Sequence, residues 1–422
     1  MLAHAAAIAL ALFYNGQDAI FYGSALIAMV IGAGVAVWTR GVPGMFTVGP
    51  AGLLLALLFI WTAVATSWSF VPYLSQIAAA LIGMAVLSYI LWRLLLVLPG
   101  TARPALAALL MLGLGMAVTL LVQVAIGERP VGTFLNPNNA AGFVNLFWPL
   151  TAALAVMATR RSHRLLLLSA TAIMVLSASI DGSRAAALAL LGSLIVLSLA
   201  AWRARCPRRR LLAMLATVLA TLIVANTANE LGIGGRGQGY FDRVASVADA
   251  GTAGASRLRI WSATGAMIGE RPWLGFGPGT FFQAYPPYRS GKDGSAAYHV
   301  HNDYLQFWVE GGLPALLLVL GLCGVCGWLF VRGLREPAPD PATSMIRAGA
   351  AASLAGLGVH ALFSYNLQMP PFLMVAGAMI AVLEGHTRAP GCLRIPLQAV
   401  RQRPMAIIAF TGLLLIPIVQ VA

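Results

Sequence analysis

Thirteen apolar stretches, most of them close to the length of a membrane span, run through this chain and leave few folds open to it. They fall near residues 1–14, 19–38, 49–68, 73–98, 104–126, 140–159, 164–180, 185–202 and 210–226. After a long polar gap, more follow near 304–333, 343–364, 370–384 and 405–421. A helix of about 20 apolar residues crosses ~30 Å of hydrocarbon. The runs are continuous, whereas a barrel strand alternates apolar and polar residues over about ten positions. The first and twelfth runs are short for a full crossing, so the chain reads as an all-α polytopic membrane protein with 12 or 13 helices. With 59% hydrophobic and 9% charged residues, it is neither a soluble globule nor a disordered chain. No basic n-region or A-x-A site marks a cleavable signal peptide.

The net charge of +14 raises nucleic acid as a partner, and the positions of the charges remove it. With the N-terminus inside, the inner loops hold eighteen arginines, among them Arg40, Arg160, Arg161, Arg208, Arg209, Arg210, Arg388, Arg401 and Arg403. Only Glu336, Asp340 and Glu384 oppose them there. This positive-inside bias accounts for the whole excess, which leaves membrane lipids as the general partner. Cys206 and Cys392 fall inside, Cys323 and Cys326 lie within a span, and no cysteine lies outside, as this orientation requires. The C-x-x-C at 323–326 has no basic neighbours, so it reads as small-residue helix packing rather than a redox pair.

Three regions follow: an N-terminal transmembrane bundle over 1–226, a large outer loop over 227–303 and C-terminal transmembrane helices over 304–422. A connection of that length carries function or structure of its own. It opens with Gly232, Gly234, Gly235, Gly237 and Gly239. The spacing then predicts a helix from Ser256 to Met267, with Ser256 as N-cap and Leu258, Trp261 and Met267 on one face. Arg271-Pro272 and the run Gly275 to Gly279 end it. Phe281, Phe282, Tyr285, Tyr288 and Tyr298 suit a surface at the lipid headgroups. The Gly-x-Gly-x-Gly run has no preceding strand and no βαβ unit around it, so it is no dinucleotide site.

Some charges have no topological reason. Arg184 lies between two spans with almost no loop, where it either pairs with Asp181, snorkels to the interface or forms an anion site. Arg257 and Arg259 stand near the positive end of the loop helix, on a solvated face or as ligands for phosphate. His299 and His301 precede the span that re-enters at Asn302, Asp303 and Tyr304, and polar Gln306 and Glu310 stand behind them. A histidine there is a hydrogen-bonding residue or a base. No third and fourth ligand at convincing spacing supports a metal. Asn136, Asn138 and Asn139 mark another outer helix entrance, where Asn139 caps the span or the amides bind sugar hydroxyls or phosphate.

Together, several motifs resemble the O-antigen ligase/polymerase family of bacterial inner-membrane glycosyltransferases. They are Ser256-Arg257-x-x-x-Trp261, Glu270 to Phe281, His301-Asn302-Asp303-Tyr304-Leu305-Gln306, Glu310-Gly311-Gly312, Asn136-Pro137-Asn138 and Gly182-Ser183-Arg184. The resemblance implies a GT-C-like fold in the bacterial inner membrane, with one long, partly helical periplasmic loop and an active site facing the periplasm. It implies a donor, undecaprenyl-pyrophosphate-linked O-antigen, and in the ligase branch an acceptor, the lipid A–core oligosaccharide. No cofactor and no metal are implied. Carried over residue by residue, His301 is the base, and Arg184 and Arg257 are catalytic and hold the pyrophosphate. Arg259 has no firm family counterpart and joins Asn136 and Asn138 as a donor-binding candidate. His299, Asn302, Tyr304 and Glu310 touch the acceptor or support the site. Asp18, in the first outer loop, is the rival base. A polymerase or a protein O-oligosaccharyltransferase differs only in acceptor. A lipid-linked glycan transporter is the rival from another class, although the chain shows no internal repeat.

Overall fold

The computed structural model describes residues 45–98, 100–233, 239–245, 252–290, 297–336, 340–385, 391 and 393–396. The first, second and last apolar stretches lie outside the described residues, as do Asp18, Arg40, Gly234, Gly235, Gly237, Arg388, Cys392, Arg401 and Arg403. In chain order the elements begin with β1 (Met45–Val48), α1 (Pro50–Ala65), α2 (Pro72–Val97), α3 (Ala102–Ala125), α4 (Pro137–Val144) and α5 (Trp148–Met157). Next come α6 (Arg161–Ser179), α7 (Arg184–Arg203), α8 (Arg208–Glu230), α9 (Tyr240–Ala245), α10 (Thr252–Glu270) and α11 (Phe281–Ala284). The series ends with α12 (Asp303–Arg335), α13 (Pro341–Ala361), α14 (Pro370–Gly385) and β2 (Leu393–Pro396). The sheet among the described residues is one antiparallel ribbon, with Met45 opposite Pro396 and Val48 opposite Leu393.

Eight segments among the described residues are long and apolar enough to cross a bilayer: α1, α2, α3, the α4–α5 pair, α6, α7, α8 and α12. The chain is an all-α, multi-pass membrane protein. The short twelfth run is α14, whose 16 residues are buried along almost their whole length. A helix apolar all round belongs inside a bundle, and α14 packs there against α2. Beside it, α13 packs along α5 and α7. The sixth run is two helices, broken at Asn145–Phe147, where Asn145 Nδ2 donates to the Ala186 carbonyl at 2.9 Å and ties the break to α7.

Residues from α10 through the start of α12 build a small lobe with its own core of Ile260, Met267, Phe276, Phe281, Tyr285 and Val300. It differs from the sequence expectation in detail. The helix starts at Thr252, so Ser256 lies in its second turn and is not the cap. The Thr-Ala-Gly-Ala stretch before Ser256 contains one weak breaker, and a single glycine costs only about 1 kcal/mol in a helix. Leu258 is exposed, and Ile260, Ala263 and Ile268 join Met267 on the buried face, because α12 lies on that side. The aromatic stretch divides: Phe281 and Tyr285 fill the lobe core, while Phe282 and Tyr298 stack on the surface with centroids 4.5 Å apart.

The glycine run docks this lobe on the bundle. Phe276 N donates to Val309 O at 3.0 Å, Gly277 N to Glu310 O at 2.8 Å and Phe70 N to Phe276 O at 2.8 Å. The approach requires Gly312, whose φ of 71° breaks α12 and whose missing Cβ would stand 2.0 Å from the Trp273 carbonyl oxygen.

Candidate active site

Four separate stretches converge at one end of the bundle. In the first, Asn136 caps α4 by accepting from the Asn138 amide at 2.9 Å. Asn139 therefore does not cap this span. It lies inside the helix, fully buried, because Pro137 starts the helix earlier. In the second, Ser183 caps α7, accepting from Ala186 N at 3.2 Å, and Arg184 follows as the first helical residue. Ser183 Oγ donates to Asn138 Oδ1, which joins the two motifs.

The third stretch is α10, which carries Arg257, half-buried. Burial lowers its proton affinity, and the charge of Arg184 lowers it further, so the two guanidinium groups stand within electrostatic reach. Arg259, two residues on, is turned about 200° around the helix. Its Nε is buried without a hydrogen-bond partner among the described residues, so it belongs to a different face from Arg257.

The histidine segment is the fourth. The Trp261 indole donates to Val300 O at 2.9 Å, fixing this segment to α10. His301 has a φ of 58°, a conformation uncommon for residues other than glycine and concentrated at functional sites. Its ring meets Tyr365 edge-on at 5.2 Å, while His299 stacks on the same ring at 4.2 Å. Gln306 fixes His299: its Oε1 accepts from Val300 N at 3.1 Å and its Nε2 faces His299 Nδ1 at 3.2 Å. Burial pushes His301 down to about 4, and the charge of Arg257 adds to the shift. Burial, then His301, take His299 to about 3. Both imidazoles are thus uncharged at neutral pH.

The remaining expected residues surround this centre. Asn302 caps α12, accepting from Tyr304 N and Leu305 N at 3.1 Å each. Tyr304 OH donates to Gly358 O at 2.9 Å. Glu310 accepts from Gly279 N at 2.9 Å, Phe281 N at 3.2 Å and Gln306 Nε2 at 3.2 Å. Its carboxylate is fully engaged in holding the lobe and the histidine segment together.

Sequence reasoning missed Tyr365, Ser364 and His360, and it named Asp303 without giving it a role. Asp303 is buried and accepts from Leu367 N at 3.0 Å, which holds the turn bearing Tyr365. His360 sits on α13 with Nε2 3.2 Å from Asn138 Oδ1, and Asn138 Nδ2 donates to Ser364 Oγ at 3.1 Å. An ionisable residue inside an apolar run was the available signal for His360. Nothing local marks Tyr365. Among the described residues, no three His, Cys, Asp or Glu side chains group as metal ligands.

Residues 166–320 match the protein family described as O-antigen ligase. The matched stretch runs from within α6 to the first half of α12 and so contains Arg184, Arg257, His299 and His301. The α4 entrance and the α13–α14 turn, which complete the arrangement, lie on either side of it. A general O-oligosaccharyltransferase of Acinetobacter baylyi is 23% identical over 282 residues, which is 65% of this chain and 47% of that relative. The chain therefore spans about half the length of the curated relative it matches.

Proposed function

We propose that the protein is an O-antigen ligase. It transfers a glycan from undecaprenyl pyrophosphate to the lipid A–core oligosaccharide at the periplasmic face of the bacterial inner membrane. The observation that carries this reading is the pair Arg184 and Arg257, two like charges within electrostatic reach of each other in a partly buried site, with His301 within reach of Arg257. Such a pair is unfavourable until an anion joins it. A pyrophosphate supplies that anion, and bidentate guanidinium contacts suit its oxygens.

On this reading the reaction is a displacement at the anomeric carbon. The acceptor hydroxyl oxygen attacks the anomeric carbon as the bond to pyrophosphate breaks, and the configuration inverts. The leaving group departs with the electron pair, and Arg184 and Arg257 stabilise the developing charge without a metal. His301 takes the hydroxyl proton. Its low proton affinity in the free protein comes first from burial and then from Arg257, and a bound pyrophosphate cancels the second effect. Donor binding thereby turns a weak base into a competent one. For the polyprenyl tail, an apolar cavity of about 460 Å³ reaches from Tyr304 into the bundle, lined by Phe307, Val319, Leu322, Ala355 and Leu373. Cys323 and Cys326, both free thiols, line the same cavity.

The name of the Acinetobacter relative favours a second reading, transfer to a protein hydroxyl. Purified protein given lipid-linked donor and either lipid A–core, a serine-rich acceptor protein or no acceptor decides among ligase, protein transferase and polymerase. Donor moved between leaflets with no new glycosidic bond in any arm overturns the transferase reading.

A further inference from the structure

His360 was not anticipated from sequence, and the chemistry above does not use it. It is 1% exposed, near the end of α13. The backbone of α4 presses on its ring: a Cβ at Gly142 would stand 2.5 Å from His360 Cε1. The ring is therefore held by packing, and its one polar contact has a defined sense. Asn138 donates through Nδ2 to Ser364 and accepts at Oδ1 from Ser183. His360 Nε2 faces that same Oδ1 at 3.2 Å, so Nε2 bears the hydrogen and donates it. The chain of contacts then runs from His360 to Asn138, from Asn138 to Ser183, and from the Ser183 cap to the helix whose first residue is Arg184.

We infer that His360 is a positioning residue for Arg184: its Nε2–H locks Asn138 Oδ1 against Ser183 and so fixes the start of α7 at which the Arg184 guanidinium is aimed. The inference rests on the proposed role of Arg184 at the pyrophosphate. A serine cap alone would end the helix equally well in many orientations. Bracing from α13, through a ring clamped by Gly142, selects one. A guanidinium that must meet charge appearing only in the transition state depends on this aim more than on affinity for the ground state.

The test compares two polar replacements. The Nε2 of glutamine reaches the position of the imidazole Nε2, whereas the amide of asparagine stops short of Asn138. In glycan transfer from undecaprenyl-pyrophosphate-linked donor by the purified protein, His360→Gln should keep kcat within about threefold of wild type. His360→Asn should lose roughly tenfold in kcat, with donor KM little changed. Ser183→Ala should give a similar kcat loss, and His360→Asn with Ser183→Ala together should be no worse than the poorer single change, since both cut one chain of contacts. Equal activity of the Gln and Asn variants overturns the inference. So does full kcat in Ser183→Ala, even if His360→Asn does not accumulate, and so do losses that multiply in the double variant. Arg184→Lys, assayed alongside, separates the two levels. Its near-normal transfer sinks the arginine reading itself, whereas severe loss there with an unaffected His360→Asn sinks only the His360 inference.

Discussion

Trp261 and Val300 are joined by one hydrogen bond, indole N–H to carbonyl oxygen at 2.9 Å, and it ties the helix bearing Arg257 to the segment bearing His301. Ile260 on that helix and Val300 in that segment are buried in the same lobe core as Phe276, Phe281 and Tyr285.

Trp261→Phe keeps an aromatic ring against the lobe core, although a smaller one, and removes the donor. It should lower kcat roughly tenfold while thermal unfolding in detergent shifts by only a few degrees, because a single hydrogen bond contributes about 1 kcal/mol. A kcat unchanged from wild type would show that the bond does not align the site.

Arg184→Lys and Arg257→Lys should each reduce kcat/KM by about a hundredfold or more, since an ammonium cannot offer two parallel N–H donors to a pyrophosphate. Initial rates against donor concentration, at matched protein levels in membranes, measure this. Near-wild-type transfer in both would assign these arginines to structure.

The pH profile should separate the free and donor-bound states. The rate depends on His301 without its proton, so activity falls as pH drops through its pKa. In the free protein that value is about 4, held down by burial first and by Arg257 second. The profile of kcat/KM should therefore stay level from about pH 8 down to about pH 5. The limb of kcat should lie at higher pH, because bound pyrophosphate offsets the arginine charge. A kcat/KM limb at the ordinary histidine value of about 6.5 would contradict the buried setting of this ring.

Gly312→Ala should strongly destabilise the fold. The position has φ at 71° and the new methyl would meet the Trp273 carbonyl at 2.0 Å, so both backbone strain and a clash oppose it. A loss of more than about 2 kcal/mol is expected, read as loss of the monodisperse species in detergent or a fall in its unfolding temperature.

Transfer by purified protein should persist in EDTA, because the proposed charge stabilisation comes from two arginines. Loss of activity in EDTA with recovery in Mg²⁺ or Mn²⁺ would overturn the metal-free reading.

The histidine segment shows how much of the candidate site was legible. The His299-x-His301 pair and Asn302 stand together in the chain, and their place beside a re-entering span was readable, whereas the capping role of Asn302 was not. Tyr365, which both imidazoles touch, was not, since it lies on a turn that only Asp303 and the packing of α14 bring there. The loop helix was found and its buried face misjudged at Leu258, because periodicity gives a stripe but not the neighbour against which it packs.

The apolar runs, their continuity and the direction of charge bias belong to local sequence, because about 20 apolar residues cross a bilayer whatever their partners. So does the glycine run, which is read from neighbours a few residues apart. The meeting of Arg184 with Arg257 and the bracing of Asn138 by His360 were decided by tertiary structure alone. Each depends on which helices pack side by side in the bundle, and that choice is made by shape across the whole core rather than by any stretch of chain.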